Sequence, residues 1–497
     1  MTRKRILEIL FCACLLLPTF WLNIKNYTDW GDDFAMYINE AKLIVTGKDI
    51  NAHHYINNPM TGTYSPSAYP IGYPILIAPV IKKYGIDFEI LFYYQTIFYV
   101  LFGVFLFLLL RKYFSFIVAL LATLLVCYNP YLLNAKAELL SDIPFTAFFY
   151  FSILGIRLFE KQQNEKINRT QIALIIIFSL TMAFSMHIRS AGSIIFLSYI
   201  LYFLLNLKWK KNSRTKISLL GYHFILTIIF YAVIKLIFPI KAFYNSFITF
   251  ELIYSNLITH LTYYAEVLFG FLKFFDVKEY GFITLLSACF FIISIFIGFV
   301  IEVKKKTVGL YIILFLSYFI TICISNLSNN GFRLILPLIF FFVYFSIIGL
   351  KNILPIITSQ YKMVVIASSL LVLFLYRIDV VKMNHPIKNY SAPTDEVYQP
   401  VFNYLQNNCT EKDTLAATYP RAMALFTSSC YFHTSEKIQP ENLMQELKKY
   451  HAKCYVTFEG TTEQEILNYI KKDTFHFEKK IKGGEMEVFI LKNNEID

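Results

Sequence analysis

Long apolar runs alternate with short polar loops through most of this chain. A helix needs about 20 residues to cross the hydrocarbon core of a bilayer, and the runs approach that length. The pattern therefore predicts an α-helical polytopic membrane protein. Eleven transmembrane helices are predicted, at residues 6–22, 91–110, 114–133, 144–159, 171–187, 191–207, 217–238, 281–301, 308–325, 334–350 and 363–379.

Composition and charge agree with a membrane protein and predict its orientation. The chain has 497 residues, is 56% hydrophobic and 18% aromatic, and carries a net charge of +12. From residue 380 onward, 14 Lys and Arg stand against 16 Asp and Glu, so the excess of positive charge lies in the apolar part. There it clusters in alternate short loops, at residues 3–5, 111–112, 161–169, 208–216, 304–306 and 351–362. The positive-inside rule then places the N-terminus in the cytoplasm and residues 380–497 outside, and no nucleic-acid partner is expected.

Two domains are predicted. Residues 1–379 form the membrane domain, whose long loops 23–90 and 239–280 lie on the outer side, the first with an amphipathic surface helix over residues 33–45. Residues 380–497 are expected to form a small extracytoplasmic α/β domain, in which a disulfide between Cys409 and Cys430 is compatible with the compartment. Its predicted elements are helices at 401–407 and 440–450, strands at 414–418, 454–458 and 475–481, and a hairpin at Gly483-Gly484 leading into 487–491.

Four acidic residues stand close to the predicted membrane on its outer side. Asp32 and Asp33 follow the first span, and Glu138 and Asp142 precede the fourth. An acid beside hydrocarbon is costly unless it is paired, hydrated or functional, so all four are candidates for catalysis. The structural alternative is that they cap or begin helices, as acids do well at an N-terminus.

Four segments of the outer side carry a resemblance to a known family. They are Gly31-Asp32-Asp33-Phe34, Tyr69-Pro70-Ile71-Gly72-Tyr73-Pro74, Ala137-Glu138-Leu139-Leu140-Ser141-Asp142-Ile143-Pro144-Phe145 and Gly331-Phe332-Arg333-Leu334-Ile335-Leu336-Pro337-Leu338. In their order and common side they resemble motifs of the GT-C glycosyltransferases, in particular the branch of protein O-mannosyltransferases and the aminoarabinose transferase of lipid A. The resemblance implies a GT-C-like membrane enzyme that takes a sugar from a polyprenyl-phosphate carrier.

The residue types suit that chemistry. The phosphate leaves as an anion without protonation, so only the acceptor hydroxyl needs a base; Asp32 is the predicted base, with Asp33 as the alternative or as its partner. One carboxylate is enough for a direct displacement that inverts the anomeric centre. Arg189, Arg333 and Lys136 are the cations expected to bind the phosphate.

Further groups complete the predicted site. Tyr69 and Tyr73 of the Pro-rich segment are expected to bind substrate. A divalent metal, Mg²⁺ or Mn²⁺, held by Asp32, Glu138 or Asp142 would share the charge of the phosphate, but carboxylates alone do not fix a metal, and its use stays open.

The predicted partners are a polyprenyl-phosphate-linked sugar as donor, a lipid, glycan or protein as acceptor, and the surrounding membrane lipids. The richness in Ile, Lys, Asn, Phe and Tyr indicates an AT-rich bacterium, and hence its inner (plasma) membrane. A transporter or flippase for a lipid-linked glycan is the alternative. It would need charges at mid-span or broken, repeated helices, and Lys235 is the only charge well inside a predicted span.

Overall fold

The computed structural model describes most of the chain and divides into two compact units. A helical unit comprises Met1–Ile24, Phe92–Ile237 and Ser246–Pro386, and a sheet unit comprises Lys25–Leu91, Phe238–Asn245 and Ile387–Asp497. The described residues are 2–25, 28, 30–58, 69–160, 169–206, 214–240, 250–272, 281–305, 309–324, 331–357, 363, 366–367, 369–370, 372–373, 376, 392–427, 429–434, 440–459, 462 and 464–492.

Most of the described residues before residue 360 are helical. In chain order they are α1 (Arg3–Leu16), α2 (Asp32–Thr46), α3 (Gly72–Tyr84), α4 (Phe88–Leu110), α5 (Phe116–Cys127), α6 (Pro130–Lys136), α7 (Asp142–Glu160), α8 (Arg169–Ile188), α9 (Gly192–Asn206), α10 (Arg214–Ile237), α11 (Phe250–Leu272), α12 (Gly281–Val303), α13 (Leu310–Ile324) and α14 (Ile339–Ile357). Short 3₁₀ helices cover Leu17–Trp21 and Gly331–Leu338.

Ten of the predicted spans fall on these helices, and the last, 363–379, lies largely outside the described residues. Four of the described helical segments are long and apolar enough to cross a membrane: Phe88–Leu110, Arg169–Ile188, Leu220–Ile237 and Phe332–Ile353. Helices α5 and α6, which meet at an angle of 62°, would add a fifth span if together they form one broken span. The total of eleven spans therefore stays a prediction.

The bend between α5 and α6 has a local cause. Asn129 caps α6 by accepting the backbone N–H of Tyr131 at 2.9 Å, and Pro130 occupies the first helical position. Proline suits the first position of a helix because the backbone N–H at that position has no hydrogen-bond partner within the helix, so no bond is lost when proline lacks it. The predicted span 114–133 is thus interrupted near its outer end.

The loop predicted at 239–280 contains a helix that the pattern did not indicate. This helix, α11, includes Glu251, His260 and Glu266, which interrupt its apolar run. In the helical unit it packs on α13, while α12 packs on α14 and α8 packs on α7 and α10.

The sheet unit contains a six-stranded mixed sheet. Its strands are β1 (Tyr55–Ile56), β2 (Thr414–Ala417), β3 (Cys430–Phe432), β4 (Ala452–Phe458), β5 (Phe477–Gly483) and β6 (Met486–Leu491), in the order β1-β3-β2-β4-β6-β5. Pairs β1–β3, β3–β2 and β2–β4 are parallel, and β4–β6 and β6–β5 are antiparallel. The helices that follow residue 390 are α15 (Gln399–Asn408), α16 (Pro420–Phe426), α17 (Pro440–Lys449) and α18 (Gln464–Lys472).

The elements predicted for residues 380–497 are all present, and the sheet contains two further strands, β1 and β3. The hairpin turns at Gly484, whose φ of +57° is a conformation that favours glycine. Strand β1, however, comes from the first outer loop: Tyr55 is in register with Tyr431 of β3, and Tyr431 N–H donates to the carbonyl of His54 at 2.8 Å. The loop and the tail therefore share one sheet.

Helix α2 differs from its prediction as an amphipathic helix on the membrane surface. Residues 34–41 are all buried, so the helix has no exposed polar face along that stretch. It packs on α3 and on α16 of the tail. The surface prediction was wrong because the sequence pattern does not show that a distant helix covers the second face.

The cysteines also depart from the prediction. All eight are free thiols. Cys409 hydrogen-bonds Cys454, while Cys430 lies 3.8 Å from Nδ1 of His54. The proposed pairing of Cys409 with Cys430 was therefore wrong.

Candidate active site

The acidic pair of the first outer loop lies at the start of α2. Gly31 is the extended residue before the helix, Asp32 is its first residue and Asp33 its second. The side chain of Asp32 lies outside the described part of the structure. Asp33 is 26% exposed at its side chain and accepts a hydrogen bond of 2.5 Å from the hydroxyl of Tyr69.

A buried arginine from the tail joins Asp33. Arg421 of α16 is 1% exposed; its Nη1 donates to the hydroxyl oxygen of Tyr69 at 3.1 Å and lies 3.9 Å from Oδ1 of Asp33. The guanidinium also lies over the rings of Tyr55 and Tyr69, 4.6 and 5.0 Å from their centroids. A buried cation between two aromatic faces and a carboxylate is fixed in position as well as in charge.

Sequence reasoning missed Arg421, and one signal was available. The residue follows the predicted strand 414–418 by only a few positions. Ligand-binding side chains in sheets with parallel strands gather beyond the carboxyl ends of those strands. A polar residue after β2 was therefore a candidate, although no catalytic group was predicted in the tail.

Glu40 is a second group that the sequence analysis missed. It lies two helical turns after Asp33, a spacing that puts both residues on the same face of α2. Its side chain is fully buried, and Oε1 accepts the backbone N–H of Tyr69 at 3.0 Å. Burial raises the pKa of Glu40 to about 8, although that N–H and the charge of Arg421 act in the opposite direction. Glu40 is therefore a neutral acid at pH 7.

Tyr69 connects this face of α2. Its hydroxyl reaches Asp33, its backbone N–H reaches Glu40, and its ring lies 4.9 Å from that of Tyr37. Tyr73 packs edge-on against Tyr37 at 5.0 Å and is 1% exposed. Tyr69 thus has a polar role beside Asp33, whereas Tyr73 belongs to the packed interior of the sheet unit.

The helical unit contains a second charged cluster, centred on Asp142. This residue begins α7, and its side chain is 5% exposed. Arg189, just after α8, donates through Nη1 to Oδ1, and Arg333 donates through Nε to Oδ2 at 3.1 Å. Tyr150 of α7 joins this region: its hydroxyl donates to the carbonyl of Leu336, in the 3₁₀ helix of Arg333, at 3.4 Å, and accepts the backbone N–H of Phe340 of α14 at 2.9 Å. One carboxylate thus brings together the two arginines that the sequence analysis selected for phosphate.

The other two predicted residues of this unit are placed differently. Lys136, the last residue of α6, is 1% exposed, and its ammonium donates to the carbonyl of Leu22 at 2.7 Å. No ion pair within the described ranges joins Lys136 to Asp142. Glu138 lies in the turn between α6 and α7 with an exposed side chain. The cations gathered around Asp142 in the described structure are therefore Arg189 and Arg333.

Asp142 is not open to a divalent metal in the described structure. Both oxygens of Asp142 already accept from guanidinium groups, and a metal bound there would have to displace an arginine. Within the described residues, no group of three or more His, Cys, Asp or Glu is arranged as a metal site. The use of a metal stays a prediction.

The predicted residues thus fall into two groups. Asp33, Tyr69 and Tyr73 lie in the sheet unit, together with the start of α2 at Asp32. Those of the helical unit are Lys136, Glu138, Asp142, Arg189 and Arg333. The first group contains a carboxylate with a buried cation and a neutral acid, and the second contains a pair of guanidinium groups on one carboxylate.

The fold is similar to those of solved membrane glycosyltransferases. No protein-family model and no curated protein sequence matches the chain. ArnT from Cupriavidus metallidurans, solved bound to undecaprenyl phosphate and in the apo state, matches with a TM-score of 0.59 and 10% identity over 97% of both chains. The oligosaccharyltransferase from Archaeoglobus fulgidus, in complex with zinc and sulfate, matches with a TM-score of 0.59 and 12% identity over 95% of this chain and 71% of that one. These neighbours belong to the GT-C superfamily, so the predicted resemblance is confirmed at the level of the fold.

Proposed function

We propose that this protein is a membrane glycosyltransferase that moves a sugar from a polyprenyl-phosphate carrier to an acceptor. The observation that carries the proposal is the shared fold over 97% of both chains with ArnT, whose structure contains undecaprenyl phosphate. The two charged clusters supply groups that this chemistry needs. The donor is a polyprenyl-phosphate sugar, and undecaprenyl phosphate is the proposed carrier.

Arg189 and Arg333 are proposed to bind the phosphate that departs from the sugar. Their side chains are 19% and 26% exposed, and Asp142 fixes the position of both guanidinium groups. Planar guanidinium groups match phosphate oxygens in a bidentate geometry. On this proposal Asp142 positions the arginines and does not accept a proton, since both its oxygens are already acceptors.

Asp32 is proposed as the general base. Asp33 already accepts from Tyr69 and faces Arg421, which supports the assignment of Asp33 as a positioning partner. The acceptor hydroxyl would lose its proton to Asp32 as its oxygen attacks the anomeric carbon, while the bond from that carbon to the phosphate oxygen breaks. A single displacement of this kind inverts the anomeric centre.

The finer topology is part of the proposal. Eleven spans would place the N-terminus in the cytoplasm and residues 380–497 outside the inner membrane, as a small α/β domain.

The acceptor is a lipid, a glycan or a protein; the archaeal oligosaccharyltransferase has been solved with a tethered acceptor peptide. A Mg²⁺ or Mn²⁺ ion would share the phosphate charge.

The base assignment is tested by sugar transfer in membranes that contain the wild type, Asp32→Asn or Asp33→Asn, with radiolabelled polyprenyl-phosphate sugars. Loss of a general base lowers such rates by about 10²–10⁴-fold. We expect that loss in Asp32→Asn, and a smaller loss in Asp33→Asn.

The matched control is Glu89→Gln, which changes an exposed acid of the same unit. Asp142→Asn should raise the KM for the donor, because the two arginines lose the carboxylate that positions them. Transfer at the wild-type rate by Asp32→Asn, by Asp33→Asn and by the double variant would refute the assignment of the base.

A further inference from the structure

A polar cavity lies in the sheet unit, apart from the group around Asp33. It has a volume of about 190 Å³ and lies beside the C-terminal half of α2. Asp33, Tyr69 and Arg421 are not among its lining residues. The polar groups that line it include Asn39, Lys42, Lys48, His53, His54 and Thr427.

The lining presents donors and positive charge. Lys42 is half-buried and Lys48 is exposed. Nδ1 of the buried His53 accepts the backbone N–H of Tyr55 at 3.3 Å, so its ring proton lies on Nε2, where it can be donated. Burial lowers the pKa of His53 to about 4, with the charge of Arg421 acting in the same direction, so the ring is a neutral donor at pH 7.

Asn39 gives independent evidence of a ligand. The residue is 6% exposed, and its Nδ2 has no hydrogen-bond partner among the described residues. A buried N–H without an acceptor costs about 1–3 kcal/mol, and such groups are rare in folded proteins. Asn39 is one of the residues around the cavity, and an acceptor oxygen of a bound group would remove this cost once the side chain turns toward it.

The acids near the cavity do not favour a cation. Glu411 is the acid that lines it, and its side chain is exposed. Asp49 accepts hydrogen bonds from the backbone N–H and the side-chain amide of Asn51, both at 3.0 Å. Two ammonium groups, an imidazole N–H and an amide N–H therefore outweigh one solvated carboxylate.

We propose that this cavity binds a phosphate group, carried by a lipid headgroup or by a soluble compound. Its four donors come from α2 and from the loop that precedes β1, and ammonium, imidazole and amide N–H groups are donors that phosphate oxygens accept from. The cavity accepts several water-sized groups, since about 10–15 Å³ of such volume is enough for one water molecule, so a phosphate fits. The site goes beyond the proposed sugar transfer, since no step of that reaction uses it.

The test is the binding of methyl phosphate and inorganic phosphate to the full-length protein in neutral detergent, measured by titration calorimetry at constant ionic strength. We expect saturable binding to the wild type. Asn39→Asp should weaken it at least tenfold because an isosteric carboxylate repels the anion, and Lys42→Gln should weaken it through the loss of charge. Lys82→Gln, which removes an exposed charge outside the cavity, is the matched control and should bind as the wild type does.

Two further arms complete the test. Nanodiscs that contain phosphatidic acid should compete with methyl phosphate if the ligand is a headgroup, and fail to compete if it is soluble; either result names the source. The absence of saturable binding to the wild type, or equal Kd values for the wild type, Asn39→Asp and Lys42→Gln, would overturn the proposal. The thermal unfolding midpoint of each variant shows that it is folded, and Lys42→Gln alters only a half-buried side chain.

Discussion

Glu40 lies in an environment that disfavours its charge. The unfolded chain ionises it near the ordinary pKa of 4.5, and the folded protein near 8. Between these pH values the folded state binds more protons than the unfolded state, so stability falls as the pH rises. The contribution of the neutral acid is complete below about pH 4.5 and is lost as the pH passes about 8.

Glu40→Gln should remove this pH dependence because the amide keeps the shape of the acid and cannot ionise. We expect the wild type to lose stability relative to Glu40→Gln between about pH 5.5 and 8.5, by at most about 1.4 kcal/mol per pH unit. Thermal unfolding in detergent at both pH values measures this difference. Glu396→Gln changes an exposed acid, so its stability should depend on pH as that of the wild type does. The same pH dependence in Glu40→Gln would contradict the conclusion that Glu40 is buried as a neutral acid.

At the residue scale, the sequence selected part of the candidate site. It selected Asp142, Arg189 and Arg333 because charges are conspicuous between apolar spans. It did not select Arg421, whose contact with Tyr69 joins positions 352 residues apart. Such a contact has no signature in local periodicity, so a single sequence shows the residue types and not their partners.

At the scale of elements, α12 and α14 approach unusually closely at two glycines. A Cβ built on Gly349 would lie 1.9 Å from the carbonyl oxygen of Ser294, and one on Gly298 would lie 1.9 Å from that of Phe345. Oγ of Ser294 and Oγ of Ser346 are 2.8 Å apart in the same interface. Small residues permit this approach of two backbones, as they do between transmembrane helices generally.

Gly349→Ala should therefore destabilise the protein, because the methyl group meets backbone and not a movable side chain. We expect a loss of about 1–3 kcal/mol, seen as a lower unfolding midpoint. Gly221→Ala in α10 is the matched control: its Cβ would have no atom within 4 Å, and alanine favours a helix by about 1 kcal/mol over glycine. Equal midpoints for the two variants would contradict the close contact of α12 with α14.

The elements themselves were largely predictable. Apolar runs of 15 residues or more mark helices strongly, and the strands of the tail alternate clearly enough to be found. Strand β1 was missed because two residues carry no periodicity, and β3 is only three residues long. The buried state of α2 was missed because its apolar pattern resembles that of a surface helix until α3 and α16 are placed against it.

At the scale of the whole molecule, sequence motifs and fold comparison agree on GT-C-like architecture. The resemblance rested on four segments in a fixed order, and the fold match covers nearly the whole of ArnT at 10% identity. At that identity a fold persists while substrates differ, so function has to be argued from the sites. Two charged clusters, one in each unit, supply that argument.

The proposed function is that this protein catalyses the transfer of a sugar from its lipid carrier. The most direct measurement reconstitutes the purified wild type and Asp32→Asn in liposomes with a polyprenyl-phosphate sugar that is labelled in the sugar, and follows both the label and the free polyprenyl phosphate. We expect the wild type to release polyprenyl phosphate as the label moves to an acceptor, and Asp32→Asn to do so at least about 100-fold more slowly, the lower end of the range for loss of a general base. Label that crosses the bilayer while still attached to its carrier, at the same rate in both proteins, would contradict it and indicate a flippase.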